Sequence, residues 1–325
     1  MSQELRQRHH CAYCRKLNTL WLKTEDSLSA LQCKRCRLSL GLQQHRKWKT
    51  LDPAAYVHPL DRQALQALRK IPGIDHILRK LLGLTTERMY RVFCQASSIQ
   101  VSARQYAHLD AKLDIVAHTL GLPKPELFVS MGDFGGIEAM TMGVENPFIV
   151  VSVGLLERLD DAEMLAVLAH EMGHIHCQHL LYKTAADTLL FVLGAVMART
   201  PLSAIVQTLG WPVQLALLTW RHKAELSCDR ASLLVVQDPD VVMRALAKAA
   251  GGSLNDELNL AAFIEQARNF ERAYVADFLD KAWTLLLASR SSHPFPVWRI
   301  SELLKWREDT GPQGYAALLQ SGLEP

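Results

Sequence analysis

The chain has 325 residues, of which 49% are hydrophobic and 21% are charged. This is the composition of an ordinary globular protein with enough apolar side chains for a core, which excludes a disordered or fibrous chain. The net charge of +3 conceals two different regions, because residues 1–50 carry 11 Lys and Arg against three acidic residues. The first 50 residues are therefore net basic, and the rest of the chain is net acidic.

The cysteines and the N-terminus together predict the cellular compartment. Of the seven cysteines, four lie in two close pairs and three are scattered along the chain. An odd total with paired spacing is typical of metal ligands in a reducing compartment and not of a disulfide framework. The first residues, MSQELRQRHHCAYC, contain no apolar run that would act as a signal peptide. We therefore expect a cytoplasmic protein.

Two Cys-x-x-Cys pairs, separated by eighteen residues, lie near the start of the chain. Their members are Cys11, Cys14, Cys33 and Cys36. This spacing is typical of a tetrahedral zinc site with four thiolate ligands. Such a site leaves no position for water, so its zinc would be structural, and so short a segment would fold only around a metal. The pattern predicts a zinc-ribbon-like module over residues 1–45, followed by a linker over residues 46–59.

The basic charge of this ribbon module limits the kinds of partner that it could bind. Tyr13, Trp21 and Trp48 are aromatic residues that would suit stacking on nucleic-acid bases. Basic zinc ribbons also bind proteins, anionic lipid or an acidic domain of the same chain. Since the rest of the chain is net acidic, we favour a protein partner or self-docking of the ribbon over nucleic acid.

Residues 60–121 follow a mostly helical pattern, and residues 125–153 change to short strands. In the first region apolar residues recur three and four positions apart, with a break at Pro72-Gly73 and a further helix over residues 103–120. In the second region short, partly β-branched runs are separated by Gly-rich and Asn-Pro turns. We therefore expect an α+β fold that is mostly helical, with a small antiparallel sheet.

The strongest catalytic signal is the motif His170-Glu171-Met172-Gly173-His174, in a helix expected to run from Asp160 to about Tyr182. Histidines four residues apart lie on one helical face, so both can bind one tetrahedral zinc. Glu171 is suited to take a proton from a zinc-bound water and pass it to the leaving amine. The alternative, two solvated histidines, fits poorly with an apolar helix that we expect to be buried. Gly173 is expected to leave close access beside the metal.

A catalytic zinc needs a third protein ligand and an open fourth position. The candidate is Glu225, which lies four residues before Asp229 in a charged segment over residues 221–230. Both carboxylates would then face one side of a helix, where Glu225 would bind zinc and Asp229 would hold the outer nitrogen of a ligand histidine. An exposed helix with salt bridges would also explain this segment, and that alternative stays open.

Three motifs follow one another along the chain: HEMGH at residues 170–174, the Glu and Asp of AELSCDRA about fifty residues later, and Ser292-His293-Pro294. Together they resemble the M48 metallopeptidases, the family of HtpX and the CAAX prenyl proteases, over roughly residues 58–305. The resemblance implies a mostly helical, zincin-like fold with a small sheet. It also implies that His170, His174 and Glu225 bind zinc and that Glu171 is the general base.

The resemblance implies further features of the active site. His293 would lie near it and stabilise the oxyanion of the tetrahedral intermediate, although a helix-capping role beside Pro294 is an equal alternative. One edge strand, from residues 137–145 or 147–153, would align the substrate by main-chain pairing. Members of this family are usually endopeptidases, and many are associated with membranes.

Two long apolar stretches, residues 188–198 and 200–220, lie between the candidate zinc ligands. The second has 21 uncharged residues, and about 20 are needed to cross a bilayer. The two stretches would form either a hairpin at a membrane or a pair of buried helices that cap the active-site cleft. We favour the buried pair and keep, as the alternative, association with the cytosolic face of a membrane through residues 188–220.

These observations predict a zinc-dependent metalloendopeptidase domain over residues 60–325, which hydrolyses peptide bonds of a peptide or protein substrate. The chain would hold one catalytic zinc and, in the ribbon, one structural zinc. The alternative is a zinc-stabilised adaptor, or a regulator led by the ribbon that binds nucleic acid or protein. Since an adaptor has no need of a general base, the intact Glu171 favours the enzyme.

Overall fold

The structure is a computed structural model, and it describes residues 5–22, 27–41, 45–48, 50–83, 86–131, 139–194, 210–251, 258–274 and 295–322. The described chain is mostly helical and contains two small sheets, which confirms the predicted fold class. The candidate oxyanion residue His293 lies outside the described residues.

The described elements are numbered here in chain order. The helices are α1 (Pro59–Arg69), α2 (Ile74–Gly83), α3 (Thr86–Ser97), α4 (Ala107–Leu120), α5 (Val153–Arg158), α6 (Asp161–His176), α7 (Leu180–Gly194), α8 (Gly210–Val236), α9 (Pro239–Gly251), α10 (Leu260–Tyr274), α11 (Pro296–Glu308) and α12 (Tyr315–Gln320). The strands are β1 (Leu5–His10), β2 (Leu17–Leu22), β3 (Ile99–Gln100), β4 (Glu126–Ser130), β5 (Ala139–Met142) and β6 (Phe148–Ser152).

The larger sheet is mixed, with the strand order β3-β4-β6-β5. Its outer pairs are antiparallel, but β4 and β6 run parallel, which differs from the predicted all-antiparallel sheet. The reason is the connectivity: β5 and β6 form a hairpin, and it is β6 that pairs with β4. Residues 148–151 of β6 are all buried, as expected for a strand covered on both faces. The order leaves β5 at an edge of the described sheet.

The motif helix α6 is fixed at both ends by local interactions. At its start Asp160 and Glu163 form a capping box, in which each side chain accepts a hydrogen bond from the other residue's backbone N–H. The helix ends at His176 and not near Tyr182, because Gln178 takes a φ of +58° and breaks the helical path. A new helix, α7, begins at Leu180. The chain therefore turns sharply just after the second motif histidine.

Helices α6 and α8 lie in close contact, and a glycine in the motif permits it. A Cβ atom added to Gly173 would lie 3.0 Å from the Cβ of Ala231 and 3.0 Å from the Cα of Cys228. Such a separation is tighter than ordinary van der Waals contact, so a larger residue would push the two helices apart. Gly173 therefore permits the close packing of α6 against α8, and the expected access beside a metal stays a prediction.

The basic ribbon module docks on the helices that carry the motif residues. The Tyr13 hydroxyl donates to the carbonyl of Val236, 3.3 Å away, at the end of α8. The ammonium group of Lys112, on α4, donates to the carbonyl of Cys36 at 2.9 Å and forms an ion pair with Asp161 at the start of α6. The ribbon cysteines also belong to the largest buried cluster of the described chain. The ribbon therefore contacts the end of α8 directly and is linked to the start of α6 through Lys112 of α4.

Residues 46–59, predicted as a linker, contain buried side chains. Leu51 is 6% exposed and Tyr56 is fully buried. The Tyr56 hydroxyl lies 2.9 Å from Nδ1 of His176, at the end of α6. This segment is therefore packed onto the helical body, unlike a solvent-exposed linker, while the domain boundaries themselves stay a prediction.

The long apolar stretches lie partly in α7 and α8, and residues 195–209 between these helices are not among the described residues. Among the described helices, none combines the length and the apolar composition that crossing a membrane requires.

Candidate metal centre

The structure brings His170, His174 and Glu225 together where α6 faces α8. Nε2 of His170 lies 3.1 Å from Oε2 of Glu225, and Nε2 of His174 lies 3.4 Å from Oε1 of the same carboxylate. The side chains of His174 and Glu225 are each 1% exposed, and that of His170 is 12% exposed. Two imidazole nitrogens and one carboxylate therefore converge at a single, nearly buried position. The exposed salt-bridged helix considered for residues 221–230 is not what forms.

The charges around this position favour a cation. Burial lowers the pKa of His174 to about 4, so its imidazole is neutral at neutral pH, which is the form that binds metals. Burial also acts to lower the pKa of His170, but hydrogen bonds to Asp229 and Glu225 outweigh it and raise the pKa to about 9. The carboxylates around His170 would stabilise a metal ion as they stabilise a proton. The residues present therefore fit a zinc ion.

Glu171 points toward β5, where Thr141 holds its carboxylate. The Thr141 hydroxyl oxygen lies 2.6 Å from Oε2 of Glu171 and 3.0 Å from the backbone carbonyl oxygen of Glu171. It is therefore placed to donate a hydrogen bond to either oxygen. Burial acts to raise the pKa of Glu171, but its interactions with His174, Lys183 and His170, together with the hydrogen bond from Thr141, lower it below its ordinary value. Glu171 is therefore an ionised, oriented carboxylate beside the two histidines. Nothing in the sequence around Thr141 pointed to this contact.

Asp229 supports His170 from the side away from Glu225. Its Oδ1 lies 3.0 Å from Nδ1 of His170. Arg299, on α11, donates through Nε to Oδ2 of Asp229 at 2.8 Å and through Nη2 to Oδ1 at 2.5 Å. This bidentate pair is buried, since the side chains of Arg299 and Asp229 are 8% and 3% exposed. Sequence reasoning missed Arg299, because one basic residue at the start of a distant helix gives no signal of its own.

His179 lies beside His174, although the sequence alone gave no site role to it. The turn at Gln178 returns the chain, so that Nδ1 of His179 is 3.3 Å from Nδ1 of His174. On the other side, Nε2 of His179 is 3.0 Å from Oδ2 of Asp61, a residue of α1. A continuous helix to Tyr182 would have pointed His179 elsewhere, so the missed helix end concealed this contact.

The four ribbon cysteines also come together. The Cys11 and Cys36 sulfurs are 3.7 Å apart, the Cys14 and Cys33 sulfurs are 3.5 Å apart, and all four lie within 4.8 Å of one another. The backbone N–H of Arg35 donates to the Cys33 sulfur at 3.4 Å. Four sulfurs at these separations fit one tetrahedral zinc ion.

Comparison with known proteins agrees with this geometry. The model of peptidase family M48 matches residues 103–307. The chain is 38% identical over 263 residues to "Plastoglobule-localized metallopeptidase 48, chloroplastic" of Arabidopsis thaliana, covering 80% of this chain and 74% of that protein. It is 30% identical over 176 residues to "Protease HtpX homolog 1" of Streptomyces coelicolor, covering 46% of this chain and 56% of that one.

Coverage is thus uneven, since the chain spans about half the length of the Streptomyces relative and most of the plant one. No solved structure matches the chain. The family match nevertheless covers more than half of the sequence and includes the two motif histidines, Glu225 and Asp229. The chain therefore belongs to peptidase family M48, a family of metallopeptidases.

Proposed function

We propose that this chain is a zinc-dependent metalloendopeptidase whose catalytic zinc is held by His170, His174 and Glu225. The observation that carries the proposal is the meeting of both imidazole Nε2 atoms with one buried carboxylate, at 3.1 and 3.4 Å. Two nitrogen ligands and one oxygen ligand are the donor set of a catalytic zinc with an open fourth position. Zinc held there supplies a Lewis acid that activates water and polarises a peptide carbonyl.

Cys228 is the competing third ligand, because its sulfur lies within 4.8 Å of ligand atoms of both histidines. Burial raises the pKa of its thiol well above the ordinary value, so forming the thiolate is costly. The carboxylate of Glu225, in contrast, directly faces the Nε2 atoms of both histidines. We therefore favour Glu225 and assign Cys228 to the packing between α6 and α8.

Glu171 acts as the general base in this proposal. Its lowered pKa keeps the carboxylate ionised at neutral pH, and the Thr141 hydroxyl fixes its orientation. It accepts a proton from the attacking water and then delivers that proton to the leaving amine. Asp229 holds the ring of His170 through Nδ1, and Arg299 in turn holds Asp229. His293 stays a proposed contact to the oxyanion.

An extended peptide would bind along β5. This strand is at an edge of the described sheet, and it carries Thr141, which contacts the proposed general base. Strand β6, the other candidate segment, is paired on both sides. Main-chain hydrogen bonds to β5 would bring a scissile bond past the metal with little dependence on side chains. This suits a peptidase that acts on unfolded protein.

The ribbon module over residues 1–45 would hold the structural zinc through its four cysteines. The contacts of Tyr13 and Lys112 support self-docking of the ribbon on the 60–325 peptidase domain. The alternative functions, an adaptor or a regulator led by the ribbon, are less favoured because Glu171 is both present and oriented by Thr141. A protein partner for the exposed part of the ribbon stays compatible with this proposal.

The proposed location is the cytoplasm, with association to the surface of a membrane. The plant relative is named as plastoglobule-localized and chloroplastic. That name supports a peripheral association over a freely diffusing protein. Residues 188–220 are the segment proposed for this contact, and fractionation of cells into membrane and supernatant would test it.

Metal analysis tests the proposed function directly. The purified protein is expected to hold two zinc ions per chain. His174→Ala should hold one, because it removes a ligand from the catalytic site only, and Cys33→Ser should lose the other. Plasma mass spectrometry of desalted protein measures the zinc content of each variant. The matched control is His118→Ala, which changes an exposed histidine of α4 and should keep two zinc ions. An unchanged zinc content in His174→Ala would contradict the proposed site.

A further inference from the structure

We propose that His179 and Asp61 are positioning residues for the metal ligand His174. In this arrangement Asp61 fixes the ring of His179, and His179 fixes the ring of His174 with its Nε2 directed toward Glu225. The inference rests on the proposed zinc site. Asp229 and Arg299 hold the ring of His170, and in this inference Asp61 and His179 hold the ring of His174 in a similar way.

The geometry of the first contact depends on the turn after the motif helix. The backbone N–H of His179 donates to the carbonyl of His174 at 3.0 Å, which ties the turn to the ligand residue itself. The two Nδ1 atoms are 3.3 Å apart, and the rings meet edge to face at 67° with centroids 5.5 Å apart. Both side chains are 1% exposed, so water does not compete for this contact.

Asp61 is held by three donors and is therefore a firm anchor. Its carboxylate accepts hydrogen bonds from Nε1 of Trp220 at 2.9 Å and from the Ser227 hydroxyl at 2.5 Å, both on α8. The third partner is Nε2 of His179, at 3.0 Å. Asp61 is itself fully buried. Helices α1 and α8 and the turn between α6 and α7 are thus joined at one carboxylate.

This chain of contacts fits one assignment of the imidazole tautomers. A carboxylate only accepts, so His179 presents a protonated Nε2 to Asp61 and leaves its Nδ1 as an acceptor. His174 must then donate from its own Nδ1, which leaves Nε2 bare and facing Oε1 of Glu225 at 3.4 Å. A bare Nε2 is the form that binds a metal. The thiol of Cys228, 3.8 Å from Nδ1 of His179, is the weaker donor to that nitrogen.

The matched pair His179→Phe and His179→Gln tests this role. Phenylalanine keeps a ring but has no acceptor, so the zinc dissociation constant of the catalytic site should rise about 10- to 100-fold. Glutamine retains an acceptor oxygen and should restore most of the affinity. Chelator competition on the full chain measures this constant, with the ribbon zinc as internal reference. The control is His176→Phe, which changes a buried histidine at the end of α6 that contacts Tyr56, and it should keep wild-type affinity.

Nitrogen-15 NMR of the wild-type protein shows which imidazole nitrogen carries the proton. This second test does not require any variant to fold. His179 should be protonated at Nε2 and His174 at Nδ1. Wild-type zinc affinity in His179→Phe, no recovery in His179→Gln, or protonation of His179 at Nδ1 would each overturn the inference. If wild-type protein held zinc only in the ribbon, the proposed function would fail instead, and this inference with it.

Discussion

Glu171→Gln is expected to lower the rate of peptide hydrolysis by about 10²–10⁴-fold while both zinc ions stay bound. The amide keeps the size of the side chain, and its oxygen still accepts the hydrogen bond of Thr141, which is 2.6 Å from Oε2 in the wild type. What the amide lacks is the ability to take a proton from water. The assay is cleavage of a fluorescently labelled unfolded protein, followed in parallel with zinc analysis.

The control for this prediction is Glu157→Gln, which makes the same chemical change at an exposed position of α5. It should leave both the rate and the zinc content unchanged. A wild-type rate in Glu171→Gln would show that another group takes the proton. Loss of one zinc together with activity would instead make Glu171 a ligand, and the third-ligand role of Glu225 would need revision.

The residues that sequence reasoning found are those set by the geometry of a single helix. His170 and His174, like Glu225 and Asp229, are four residues apart, and this spacing alone puts each pair on one face. The four-cysteine cluster was found for the same reason, since its spacing is local. The structure brings both helical pairs together, with Nε2 of His170 and Oε2 of Glu225 3.1 Å apart.

The supporting residues were missed because they depend on which faces meet. Thr141 reaches Glu171 from an edge strand, and Arg299 reaches Asp229 from a helix near the end of the chain. His179 reaches His174 only because the helix stops at His176. Hydrophobic periodicity predicts a face, but it does not say which distant element will cover that face.

The sheet also has features that local sequence signals predict and features that depend on contacts between distant segments. The strands over residues 125–153 were predicted from their β-branched runs and turns, which are local signals. The parallel pairing of β4 with β6 depends on the order in which the strands assemble, and this order has no local signature. It matters for the proposed binding of substrate, because in the described sheet the order β3-β4-β6-β5 leaves β5, and not β6, at the edge beside Glu171.

With zinc removed from the catalytic site, Arg299→Met is expected to lower the free energy of unfolding by about 3–5 kcal/mol. The guanidinium pairs with Asp229 at 2.5 and 2.8 Å, and its Nη1 is 3.8 Å from Oε2 of Glu225. Methionine fills similar space but removes the guanidinium charge beside two buried carboxylates, Asp229 and Glu225. Denaturant unfolding at fixed pH, with zinc removed from the catalytic site, measures the loss.

The matched control is Arg268→Met, which removes a pair between Arg268 and Glu308, whose side chains are 54% and 57% exposed. That pair is solvated, so its loss should cost no more than about 1 kcal/mol. If the two variants lost similar stability, Arg299 would not be neutralising buried charge. Because a bound metal ion replaces part of the missing positive charge, zinc should also stabilise Arg299→Met more than it stabilises the wild type. An equal stabilisation would mean that Arg299 acts only on the ring of His170 through Asp229, and not on the charge of the ligand set.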